Sequence, residues 1–139
     1  MIRELIHDDA VLSQPCAVAT AEDASIAQDL VDTLAAAEDA ACLAANQIGE
    51  TKAMAAFVDD QERMHVIYNP KMLLGLGAYM AEERCLSHGE IVSVKRFAKV
   101  KVSFEELVDG KLVARRRDYT GFVAQMVQHM IDHCNGKLV

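Results

Sequence analysis

The last helix of this chain limits the fold more than any other segment. Thr120 is a good N-cap and Asn135-Gly136 a good left-handed stop, so residues 120–136 carry helical punctuation at both ends. At about 100° per residue, Phe122, Val123, Met126, Val127, Met130, Ile131 and Cys134 cover most of the circumference. Gln125, Gln128 and Asp132 share one narrow polar edge. A helix that is apolar nearly all round is stable only when other elements enclose it.

The rest of the chain has the texture to do this. Residues 21–38 read as an amphipathic helix: Thr20 and Asp23 have capping-box spacing, and Ile26, Leu30, Leu34 and Ala37 form one stripe. Residues 40–49 are small and apolar with two amides, and read as a buried connection. From 52 to about 119 the pattern is β. Apolar runs at 54–58 and 64–68 flank a charged turn, and Asn69-Pro70 is expected to end the second run. Val100, Val102 and Phe104 alternate with Lys101 and Ser103, and Asp109-Gly110 suits a two-residue hairpin turn. The expected fold is α+β: antiparallel strands surrounding a buried C-terminal helix, with an outer N-terminal helix. No repeat or linker divides the chain, so residues 1–139 form one domain.

Composition excludes several functions. A net charge of −7 disfavours a groove for nucleic acid, which needs clustered cations. The one basic cluster, Arg115-Arg116-Arg117, lies in a strand-like region and reads as a solvated face. No run of about 18 apolar residues exists, so no membrane span is expected. The first residues lack the basic-then-apolar layout of a signal peptide, so the expected location is cytoplasmic. The four cysteines contain no CxxC pair, so any bound metal must gather ligands from distant segments.

The chemistry resides in the buried helix. His129 and His133 are four residues apart, so both rings project from one face and could reach one ion. Taken alone, the same spacing also suits two packed core histidines with unrelated partners. Cys85 is a candidate third ligand, although a lone cysteine is as often a small buried hydrophobe.

Three segments carry a resemblance. They are Ala40-Ala41-Cys42-Leu43-Ala44-Ala45-Asn46-Gln47, Glu83-Arg84-Cys85-Leu86-Ser87 and His129-Met130-Ile131-Asp132-His133. Their order and spacing resemble the peptide deformylases, whose motifs are GxGLAAxQ, EGCLS and HExDH. The resemblance implies that Cys85, His129 and His133 bind Fe²⁺ or Zn²⁺, with Ni²⁺ also compatible, leaving one position open. It implies hydrolysis of the N-formyl group from a formyl-methionyl peptide or nascent chain. The Gln47 amide and the Leu86 backbone N–H would bind the oxyanion. Substrate backbone would lie along residues 40–44, including Cys42 and Leu43, and along the segment with Arg84. Met126 and Ile91 are candidates for the methionine pocket.

This chain departs from the pattern at three places. Met130 stands where the family has a proton-shuttling glutamate, and Cys42 and Arg84 replace glycines beside the substrate. A thioether carries no titratable proton, and general acid–base catalysis is worth about 10²–10⁴-fold. Asp132, Glu83 and Glu82 are the carboxylates near enough in sequence to be considered as substitutes, with Arg96 the candidate ion-pair partner of Glu83. The expected protein binds metal but turns substrate over weakly or not at all. The alternatives are a non-catalytic binder of metal and formyl-peptide, another HxxxH metallopeptidase, or a structural metal site closed by Cys134 or His88.

Overall fold

The computed structural model describes residues 1–38, 40–84 and 91–138. Three helices, α1 (Asp9–Leu12), α2 (Ala24–Ala36) and α3 (Gly121–Cys134), accompany five strands. The strands are β1 (Cys42–Ala44), β2 (Met54–Val58), β3 (Met64–Arg84), β4 (Ile91–Val108) and β5 (Lys111–Thr120). They form one antiparallel sheet in the order β1-β2-β3-β4-β5. None of the described helices is long and apolar enough to cross a membrane.

The sheet is buried on both faces where it is widest. Ala55 and Phe57 of β2 join Ile67, Val102 and α3 in one core, while Met54 and Ala56 join Tyr68, Leu30 and Leu34 in another. Alternate residues of β2 thus feed opposite cores, which is why this strand reads as an unbroken apolar run. The two helices take opposite faces of the sheet. α3 lies against all five strands, and its residues from Ala124 to Cys134 are buried except Gln125 and Asp132. Phe122, counted on the apolar circumference, is instead 64% exposed.

The expected N-terminal helix begins with a 3-10 turn, Ala21–Asp23, closed by the capping box. The Thr20 hydroxyl accepts from Glu22, and the Asp23 carboxylate accepts from Thr20 N–H at 2.8 Å. Residues 40–49 are more structured than a connection: Cys42–Ala44 is an edge strand, followed by a buried 3-10 turn, Ala45–Ile48. The Asp109-Gly110 turn is as expected, with φ of 50° and 79°.

Asn69-Pro70 does not end its strand, which continues to Arg84. The proline falls inside a register shift between Tyr68 and Lys71, where a missing N–H costs no ladder bond. Asn69 takes φ 53° and uses its side chain to bond both backbone groups of Ala19 and the Glu105 carboxylate. Arg115–117 lies in β5, with Arg116 and Arg117 exposed.

α3 ends in a Schellman motif. Lys137 N–H bonds Asp132 O and Gly136 N–H bonds His133 O, with Gly136 at φ 76°. A Cβ at Gly136 would also stand 2.6 Å from Ser13 O and 2.8 Å from Pro15 N. Gly136→Ala is therefore expected to lower the unfolding free energy by about 2 kcal/mol, measured by urea denaturation.

Candidate metal centre

His129 and His133 meet as their spacing requires. Their Nε2 atoms are 3.1 Å apart and the rings cross at 72°. His133 is fully enclosed and His129 nearly so. Two imidazole nitrogens bound to one tetrahedral zinc ion, each at about 2.0–2.1 Å, stand about 3.3 Å apart. The pair is spaced for a shared ion.

The tautomer of His129 is set from behind. Its Nδ1 lies 2.8 Å from Glu83 Oε1, so the ring donates there and turns Nε2 towards His133. Glu83, at the end of β3, is itself held by Arg96 of β4 through Nε at 2.8 Å and Nη2 at 2.6 Å. The expected Glu83–Arg96 ion pair is present and buried. Arg96 reaches on to Asp132 of α3 at 2.7 Å, and Lys137 approaches the other oxygen of Asp132 at 3.7 Å. Burial raises the Glu83 carboxyl, but the hydrogen bonds from His129 and Arg96 and their charges reverse this and hold it at about 2. Arg96 loses to burial and regains more from Glu83 and Asp132, so its pKa is raised.

Gln47 belongs to the buried 3-10 turn behind this pair. Its Oε1 accepts from Ala44 N–H at 2.9 Å, which fixes how the amide group points. Asn46 donates to His133 O at 2.9 Å, and Ile6 N–H bonds Gln47 O at 2.7 Å, tying the turn to α3 and to the N-terminal segment. Gln128, read in sequence only as part of the narrow polar edge, anchors the helix. It brackets Phe97 of β4, accepting from N–H at 2.8 Å and donating to O at 2.9 Å. β5 stops pairing with β4 at Lys99, so Gln128 takes over the backbone groups of a strand two residues further on.

A cleft of about 240 Å³ opens beside His129, bordered by Cys42, Glu83, Arg84, Phe122 and Met126. Met126 lines this cleft. Ile91 does not line the cleft; it is 59% exposed at the start of β4. Leu43 turns its side chain into the core under α2, so only its backbone could meet a substrate. Met130 is fully buried in the core between α3 and the sheet. Cys85, Leu86 and His88 lie outside the described residues, and among the described residues no third ligand joins the histidines. Cys134 is a poor candidate for a closing ligand, since burial pushes its thiol up to about 12.

The fold is α+β in three layers, with paired histidines on its enclosed helix backed by a buried carboxylate. The polypeptide deformylase family matches residues 3–139, and this chain belongs to that family. It is 33% identical over 140 residues to a peptide deformylase of Clostridium beijerinckii, with the whole of both chains covered. It is 36% identical to one from Mesorhizobium japonicum, covering 96% of this chain and 79% of that protein. The crystal structure of the Legionella pneumophila peptide deformylase superimposes with a TM-score of 0.87 at 31% identity, covering 99% of this chain and 83% of that one.

Folding lowers Glu83 from its ordinary 4.5 to about 2. Its stabilising contribution is therefore complete above pH 4.5 and is lost as the pH falls through about 2. Glu83→Gln should cost about 3 kcal/mol at neutral pH, because it leaves Arg96 buried with less countercharge. It should also flatten the acid limb of stability, followed by urea denaturation of the metal-free protein across that pH range.

Proposed function

We propose that this chain holds one divalent ion, Fe²⁺ or Zn²⁺ with Ni²⁺ also compatible, between Cys85, His129 and His133. We further propose that it recognises N-formyl-methionyl peptides of nascent chains in the cytoplasm but hydrolyses them weakly or not at all. The observation that carries the reading is the 3.1 Å approach of the His129 and His133 Nε2 atoms on an enclosed helix, with Glu83 fixing one ring. Cys85 follows Glu83 by two residues and completes the donor set. An ion held there supplies Lewis-acid activation of water toward the formyl carbon.

The protein's own groups do the rest. Glu83 keeps His129 in one tautomer. Gln47, oriented by Ala44, and the Leu86 N–H donate to the developing oxyanion. The backbones of Cys42, Leu43 and Arg84 receive the peptide, and its methionine side chain enters the cleft against Met126 and Phe122.

Proton transfer is the missing step. Met130 can neither hold nor donate a proton. Asp132 is held by Arg96, and Glu83 at about 2 stays ionised, so neither carboxylate replaces the lost glutamate. The Cys42 and Arg84 side chains also occupy the border of the cleft where glycines would leave it open. Binding without turnover is the outcome this arrangement favours.

The test joins metal analysis with formate release from formyl-Met-Ala-Ser. One equivalent of metal should copurify and be lost in His129→Ala and His133→Ala. Met130→Glu should release formate at least about 100-fold faster than the unaltered chain. Full activity in the unaltered chain would overturn the claim of impairment, and absence of bound metal would overturn the site.

A further inference from the structure

β3 has two edges, and one of them is open for most of its length. β2 pairs with β3 only from Met64 to Tyr68, while β4 pairs with it as far as Arg84. From residue 70 to 84 the other edge has no strand beside it among the described residues. Exposed edges are normally blunted with charge or covered by another element. This one is neither. Residues 72–81 contain no charged side chain. They hold six of the twelve exposed large apolar side chains among the described residues, including Met72, Leu74, Leu76 and Met80. The concentration in one open strand marks a contact surface rather than scattered exposure.

We infer that this edge pairs with the same edge of a second copy, antiparallel about a two-fold axis near Leu76. The charges that flank the run select this occupant. Lys71 precedes it and Glu82 follows it; both are exposed, and neither has an ion-pair partner among the described residues. Antiparallel pairing sets Lys71 of each copy beside Glu82 of the other, giving two equivalent contacts around an uncharged centre. Parallel pairing would oppose like charges. The net charge of −7 would resist association elsewhere on the surface but not across this neutral run. Glu82 also borders the cleft beside His129, so the pairing brings Lys71 of the second copy to its rim.

Sedimentation equilibrium tests this with the full chain, whatever its catalytic activity. The unaltered protein should be a dimer. Lys71→Glu and Glu82→Lys should each weaken association about tenfold or more, because each places like charges opposite one another twice. An equimolar mixture of the two variants should recover the original affinity, since both contacts are then complementary. Leu76→Lys, at a solvent-exposed position, should be monomeric with an unchanged circular dichroism spectrum. A monomeric unaltered protein, a dimer that survives Leu76→Lys, or a mixture no tighter than its components would each overturn the inference.

Discussion

The buried carboxylate of Glu83 is the constraint on which the centre depends. It sits at the end of β3, is gripped by Arg96 from β4, and orients His129 from α3. Three elements that meet nowhere in sequence are joined at one ionised group. A carboxylate in such a place is unfavourable unless its oxygens are fully engaged, and here both are. The same arrangement that stabilises the charge also turns the Nε2 of the His129 ring towards His133. Structure and chemistry share one network, so neither partner of Glu83 can change without moving the other.

Around that network the sheet provides rigidity by being enclosed on two sides. β2 sends alternate residues into separate cores, and α2 and α3 cover the opposite faces. α3 is held along its length rather than only by packing. Gln128 stitches it to Phe97, Asp132 to Arg96, and Asn46 to the His133 carbonyl. At its end Gly136 lets the chain turn against residues 13–15. Both histidines therefore sit on a helix whose rotation and translation are fixed by polar bonds within an apolar enclosure.

That enclosure also explains how chemistry and binding can separate. Glu83 orients the His129 ring and Ala44 orients the Gln47 amide, while position 130 carries a thioether packed in the core. Metal affinity depends on donor atoms and the groups behind them; proton transfer depends on one titratable side chain.

Much of this was legible in the residues alone. The all-round apolar pattern required an enclosed helix, the i,i+4 step put two imidazoles on one face, and three ordered motifs pointed to the family. Local rules suffice for such features because helical geometry is set by neighbours in the chain. Tertiary structure decided the rest. Asn69-Pro70 looked like a strand end, but a register shift and the distant partners Ala19 and Glu105 carry β3 through it. Residues 40–49 looked like a connection, yet β2 offers Cys42–Ala44 a strand to pair with. Arg96 meets a carboxylate 36 residues away at Asp132, and Glu83 meets a histidine 46 residues away. No periodicity records contacts of that range; they exist only because the sheet and the enclosed helix bring those atoms together.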